Sequence, residues 1–134
     1  MAALTCIVVT PEETALEEKA DFVALPLYDG EIGIAPARAP MIGRLGYGEL
    51  RIRSGDSVAR YYVDGGFVQV ADNVVSILTN RTIPADQIDA EATSEQIKET
   101  LTKPAHTLDL REIRDRAILQ GRAQIRIAKR SQEA

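Results

Sequence analysis

Asp29–Pro40 reads DGEIGIAPARAP, Gly46–Gly55 reads GYGELRIRSG and Tyr61–Val70 reads YYVDGGFVQV. Each is a short aliphatic or β-branched run broken by glycine or proline. Glycine admits the left-handed backbone that tight turns need, and proline cannot donate to a strand ladder, so this punctuation predicts strands joined by turns. Working outward, Leu4–Val9 forms a strand closed by Thr10-Pro11, and a second runs from Asp21 to Tyr28. Asp29-Gly30 is a two-residue hairpin signal, after which Glu31–Ile34 returns as far as Pro36. Met41–Leu45 follows Pro40, and Glu49–Arg53 alternates, placing Leu50 and Ile52 inward and Glu49, Arg51 and Arg53 toward water. Ser54-Gly55-Asp56 turns the chain into Val58–Val63, Asp64-Gly65-Gly66 turns it into Phe67–Val70, and Asp72-Asn73 leads to Val74–Leu78. Turns at this density imply a β-sandwich or flattened barrel of about eight to ten short strands.

Beyond Pro84 the period changes. Ala85-Asp86 opens a helix with early carboxylates, which the helix dipole favours; Ile88, Ala92, Ile97 and Leu101 give it a modest apolar stripe as far as Lys103-Pro104. Asp109 can cap a second helix, along which Leu110, Ile113, Ala117, Ile118, Gly121, Ile125 and Ala128 recur at three- and four-residue steps. The expected organisation is a sandwich over residues 1–85 and an antiparallel two-helix hairpin over 86–134. A hairpin has little core of its own, so its hold on the sandwich is expected to be marginal and the element able to move.

Composition narrows the function. The 134 residues carry a net charge of −4, with no tryptophan and one cysteine. No apolar run approaches the roughly 18–20 residues that span a bilayer, and MAALTCIVVT has the flanks of neither a signal nor a transit peptide. Cys6, alone in an apolar strand, reads as core and fits a reducing compartment. The body has no basic stripe, which argues against nucleic acid. Residues 109–134, by contrast, hold seven Lys/Arg against four Asp/Glu. That positive tail calls for a partner. With His106 the only histidine, neither a His-based metal cluster nor a hydrolytic triad is in prospect. Gly30, Gly33, Gly65 and Gly66 do not lie between a strand and a helix N-terminus, so they read as turn residues and not as a phosphate cradle.

GEIGIAP followed by AP, then GELRIRSG, DGGFVQV and NVVSILTN, in that order and spacing, resembles one family over essentially the whole chain: the epsilon subunit of the F-type ATP synthase. The resemblance implies a non-catalytic rotor subunit of a proton- or sodium-translocating synthase. Its sandwich would bind the gamma subunit and sit on the ring of c subunits. Its helices would pack on the sandwich or extend toward the catalytic beta subunits and block hydrolysis. It also implies a peripheral place on the cytoplasmic face of a bacterial membrane. Glu31 and Arg38, flanking the glycine-proline loop, would meet the c ring. Arg38 stands where the family often has His, and Ala37 where it often has Gly.

Arg122, Arg126, Lys129 and Arg130 form a basic face on the second helix. Two readings apply: they pair with Glu91, Glu95 and Glu99 on the first helix, or, as the resemblance implies, they engage the beta subunit when the tail extends. Family members that bind ATP carry Ile/Leu-Asp followed by Arg-Ala, with arginines on helix two. Here Ile88, Asp89, Arg122 and Arg126 match, but Ala92-Thr93 replaces Arg-Ala. Losing one charge-assisted hydrogen bond costs about 1.5–3 kcal/mol, so ATP binding is expected to be weak or absent, with no cofactor or metal. The alternative class is a small-molecule-binding sandwich with a helical lid or dimerisation arm. It requires convergent polar groups in a concavity, whereas the rotor reading requires an exposed apolar strip on the sandwich.

Overall fold

The computed structural model describes residues 4–102 and 105–133. The break read at Lys103-Pro104 lies outside the described residues. Eight strands come first: β1 (Leu4–Val9), β2 (Thr14–Ala20), β3 (Phe22–Leu27), β4 (Gly30–Ile34), β5 (Met41–Ser54), β6 (Ser57–Ala71), β7 (Val74–Leu78) and β8 (Thr82–Pro84). A single 3-10 turn at Ala85–Gln87 leads to α1 (Ala90–Thr102) and α2 (Leu108–Glu133). The strands hydrogen-bond in the order β2-β1-β7-β6-β5-β3-β4, with β8 added to β6. Among the described residues only the β1–β7 pair is parallel. The sheet is not closed, and it wraps around one aliphatic core that includes Leu4, Val8, Val23, Leu25, Leu50, Val68 and Ile77.

One sheet makes two layers because its two longest strands bend at the same place. On β5 the inward residues are Gly43 and Leu45 before Gly46, then Leu50 and Ile52 after it. On β6 they are Tyr61 and Val63 before Gly65-Gly66, then Val68 and Val70 after it. In a pleated strand inward positions share one parity; both strands switch parity, and they do so opposite each other in the ladder, where Leu45 pairs Gly66 and Tyr47 pairs Asp64. The sequence reading of Asp64-Gly65-Gly66 as a turn is therefore corrected. It is a kink inside a 15-residue strand, and Met41–Leu45 and Glu49–Arg53 are likewise one 14-residue strand. The strands are eight, but these two are not short.

Other departures have local causes. β2, absent from the sequence reading, has an almost wholly exposed TALEEKA sequence with no alternation. It is an edge strand, paired only to β1, and its charges discourage pairing with other chains. The first hairpin turns at Tyr28-Asp29, one residue earlier than read, because Gly30 already pairs Leu27. The turns at Gly55-Asp56 and Asp72-Asn73 stand as read, and Asp72 and Asn73 both take the left-handed backbone of a type I′ hairpin, at φ 52° and 63°. α1 begins at Ala90, with Asp89 as its cap: the Asp89 carboxylate accepts the Ala92 N–H at 3.0 Å. α2 is capped by Thr107 and not by Asp109, since the Thr107 hydroxyl accepts the Leu110 N–H at 3.1 Å.

The helices form a hairpin closed at Gly121, where a side chain would meet Ile97 at 3.0 Å. Only the second half of the apolar stripe read on α2 is covered. Ile118, Gly121 and Ala128 are buried, while Leu110, Ile113 and Ala117 are exposed. Ala123 and Ile127, missing from that stripe, are the residues that pack on the sandwich. α2 thus presents two buried faces, one to α1 and one to β5–β6.

A Cβ on Gly66, at φ 109°, would lie 1.8 Å from the Leu78 carbonyl oxygen. Gly66→Ala is expected to destabilise the sandwich by about 3 kcal/mol or more, read as a lowered urea midpoint. Gly55→Ala has nothing within 4 Å to strike but sits at φ 60°, so it should cost less, about 1 kcal/mol.

Candidate functional site

Three surfaces carry chemistry that the core does not absorb. The first is the seam between sandwich and tail. Tyr62 of β6 is fully buried there with Ala85, Ala123 and Ile127, flanked by Ile83 and Ile88. Burying this cluster removes apolar surface from water and holds the tail to the sandwich. Two polar contacts cross it: Gln120 Nε2 donates to Asp64 Oδ1 at 2.9 Å, and Arg130 Nη1 reaches Glu49 Oε1 at 3.4 Å. Within the sandwich the Arg81 guanidinium lies over the Tyr62 ring at 5.6 Å.

Glu49 overturns the expectation drawn from alternation. Its side chain is 5% exposed, and Oε1 also accepts from Arg51 at 3.0 Å and Arg60 at 3.1 Å. Sequence alternation placed it on the outer face correctly, but α2 covers that face. Arg51 continues the network to Glu31.

The basic face of α2 is divided. At about 100° per residue, Arg122, Arg126 and Lys129 fall on the arc opposite Ala123, Gln124 and Ile127. They are exposed and make no ion pair among the described residues. None meets Glu91, Glu95 or Glu99, because α1 packs on the Gly121 face of α2 and carries those carboxylates outward. Arg130, at the edge of the arc, turns to the sandwich instead. The expected helix-to-helix pairing is therefore absent among the described residues.

Nor are the four residues matched to an ATP motif gathered in one place. Ile88 packs into the seam cluster and Asp89 caps α1, while Arg122 and Arg126 stand on the outer arc. The cleft between the helices, about 240 Å³, is lined by Arg81, Thr93, Gln96, Gln120 and Gln124 among others, and by none of those four.

The second surface is the end of the sandwich at residues 35–40, all exposed. Arg38 Nη1 contacts the Gly33 carbonyl at 3.4 Å. The Ala37 N–H donates to Asn73 Oδ1 at 2.7 Å, tying this loop to the Asp72-Asn73 turn. Glu31 stands at the other end of β4, bound to Arg51, so Glu31 and Arg38 are not brought into contact.

The third surface is apolar and was missed as particular residues. Beyond the kink, the outer face of β5–β6–β7 presents Ile42, Phe67 and Leu78, which are 77%, 59% and 52% exposed. Phe67 and Leu78 are direct cross-strand partners, and Arg44, the β5 partner of Phe67, lies over the exposed Tyr28 ring at 4.8 Å. The signal was available in the parity switch, which turns Phe67 outward and Val68 inward.

Among the described residues no group of His, Cys, Asp and Glu could hold a metal ion, and no helix is long and apolar enough to cross a membrane. Burial holds the Cys6 thiol neutral, its pKa pushed up to about 12.

Comparison with known proteins gives this geometry its class. The model for the ATP synthase delta/epsilon chain β-sandwich domain matches residues 3–85. An ATP synthase epsilon chain of Rhodopirellula baltica is 48% identical over 127 residues, covering 95% of this chain and 99% of the relative. The sodium ion specific ATP synthase epsilon chain of Propionigenium modestum is 30% identical over 131 residues, covering 96% and 95%. Among solved structures, a chain in the Euglena gracilis mitochondrial ATP synthase (OSCP/F1/c-ring) shares the fold at a TM-score of 0.71 and 23% identity, covering 96% of this chain and 79% of that one. The chain belongs to the epsilon chains of the F-type ATP synthase, as a non-catalytic stalk subunit.

Two consequences can be measured. Ala37 sits at φ 66°, where an L side chain is strained, so Ala37→Gly is expected to stabilise the loop by about 1 kcal/mol in urea unfolding. Burial, then the Asp64 charge, raises the Tyr62 pKa from 10.0 to about 12. The fold favours the neutral phenol, so that stability is complete below pH 10 and is lost as pH rises from 10 toward 12. Tyr62→Phe should make this alkaline loss shallower in thermal unfolding followed across that range.

Proposed function

We propose that the chain is a rotor subunit of a bacterial F-type ATP synthase, with the sandwich as its coupling part and the helical hairpin as a movable brake on hydrolysis. The observation that carries this is the exposed strip of Ile42, Phe67 and Leu78 on a sheet face whose other half is covered by the tail. Contiguous exposed apolar side chains mark a binding face, and the gamma subunit is the partner the family supplies. The sandwich spans residues 1–85 and the regulatory hairpin residues 86–134.

The remaining surfaces take roles in the same scheme. The loop at 35–40, with Arg38, faces the polar loops of the c ring, and Glu31 supports it from β4. Its altered chemistry at Ala37 and Arg38 leaves its shape to the Asn73 contact. Among the described residues Arg122, Arg126 and Lys129 make no ion pair in the docked tail, so none described there has to break before they meet an acidic segment of beta. Arg130 is the exception, since it must first leave Glu49. ATP binding is weak or absent, because the four matched residues lie apart. As part of the complex the chain is peripheral, on the cytoplasmic face of the membrane.

ATP hydrolysis by the assembled catalytic head, with the chain full-length or ended after Ala85, tests the scheme. Truncation is expected to raise the rate while binding to gamma persists, and Arg122→Ala/Arg126→Ala should raise it partway. An unchanged rate would remove the brake and leave the coupling role. Loss of gamma binding by Phe67→Asp would confirm the apolar strip as the contact, and retained binding would overturn it.

A further inference from the structure

We propose that Glu49 is a release element: a carboxylate that docking of the tail dehydrates and only partly repays, so that the docked state stays reversible. The inference builds on the reading of the tail as movable, but concerns which residue sets the balance.

Glu49 lies midway along β5 on the face that α2 covers, with 5% of its side chain exposed. Two of its three partners belong to the sandwich and stay with it wherever the tail is. Arg51 stands two residues along the same strand, and Arg60 is on β6 in direct register with Arg51. Both bind Oε1. The tail adds Arg130, 81 residues away in sequence, and it binds the same oxygen.

Oε2 receives nothing and is buried without a hydrogen-bond partner. Docking therefore removes water from a carboxylate oxygen and supplies no donor in its place. What it supplies elsewhere is the longest of the three contacts, at 3.4 Å, from a side chain that remains 56% exposed.

The charge count points the same way. Glu31, Glu49, Arg51 and Arg60 form a neutral quartet on the sandwich, linked through Arg51. Arg130 enters as an additional cation, with no unpaired anion in that quartet waiting for it. Dehydrating a charge commonly costs more than a single imperfect pair returns, and removing one partner of a buried pair leaves the other charge worse off. The two halves of this contact must then act in opposite directions. Arg130 favours docking by reducing the burden on Glu49. Glu49 itself opposes docking, and the apolar cluster around Tyr62 overcomes it.

This separates the proposal from an ordinary latch, in which loss of either partner would free the tail. Tyr62, fully buried beneath Ala123 and Ile127, reports docking directly, while exposed Tyr28 serves as the internal reference. Hydroxyl-radical labelling of the isolated full-length chain, quantified at Tyr62 relative to Tyr28, reads the open fraction. Arg130→Ala is expected to raise Tyr62 labelling about three- to fivefold, the range of an exposed ion pair. Glu49→Met, which keeps the length and removes the charge, is expected to lower it below the parent chain. Labelling raised by both variants would establish a latch and overturn the proposal, and so would labelling unchanged by Glu49→Met. Unchanged protection of β1 amides to hydrogen exchange excludes a general loss of fold; if Glu49→Met lowers that protection, Glu49→Gln takes its place with the same expected sign. The readout requires no ATP synthase, so it stands or fails apart from the rotor assignment.

Discussion

The shared bend of β5 and β6 is the constraint on which the molecule depends. Gly46 and Gly66 allow it, each because a side chain there would strike backbone: the Leu27 carbonyl oxygen at 2.9 Å in one case, the Leu78 carbonyl oxygen at 1.8 Å in the other. The bend reverses which face of each strand points inward, and so divides the outer surface of the sheet into two regions with different fates. On one side of it Glu49, Tyr62 and Asp64 face outward and receive the tail. On the other side Ile42, Phe67 and Leu78 face outward and stay exposed among the described residues. Both the seam that receives the tail and the apolar strip follow from one local backbone feature.

The seam combines a small apolar cluster with polar contacts of unequal quality. Tyr62, Ala85, Ala123 and Ile127 exclude water, while Gln120 to Asp64 is a well-formed hydrogen bond at 2.9 Å. Neither is large beside the sandwich core, which joins all the strands from β1 to β7. Such an inequality sets a hierarchy of local stability, with the helices opening well before the sandwich.

Much of this was legible in the residues, and the exceptions share a cause. The strands with alternating aliphatic residues, such as Leu4–Val9 and Val74–Leu78, and the turns at Gly55-Asp56 and Asp72-Asn73 are local patterns, and they could be read directly. β2 was not, because an edge strand with Glu17, Glu18 and Lys19 is defined by its neighbour and not by its own apolar period. Gly65-Gly66 reads as a turn because sequence distinguishes poorly between a chain that reverses and one that kinks and continues; here the ladder to β5 on both sides decides it. The face of α2 was half right. Leu110 and Ile113 have the correct spacing but extend past the sandwich, whereas Ala123 and Ile127 lie over Tyr62. For the candidate site, the basic residues were found but the partner of Arg130 was not, since Arg130 and Glu49 are brought together only by tertiary packing.

The position of the seam along α2 has a mechanical consequence. Ala123, Ile127 and Arg130, which hold the helix down, all lie in its C-terminal half, beside the Ala85–Asp89 connection from which the hairpin springs. From Gln120 back to Leu108 the helix continues for roughly 18 Å at 1.5 Å per residue, ending at exposed Leu108 and Leu110. The restraints thus sit close to the fulcrum and the bare tip sits far from it. Whatever pushes on the tip works through the longer arm, so a modest force there produces a torque that the same force at the seam could not.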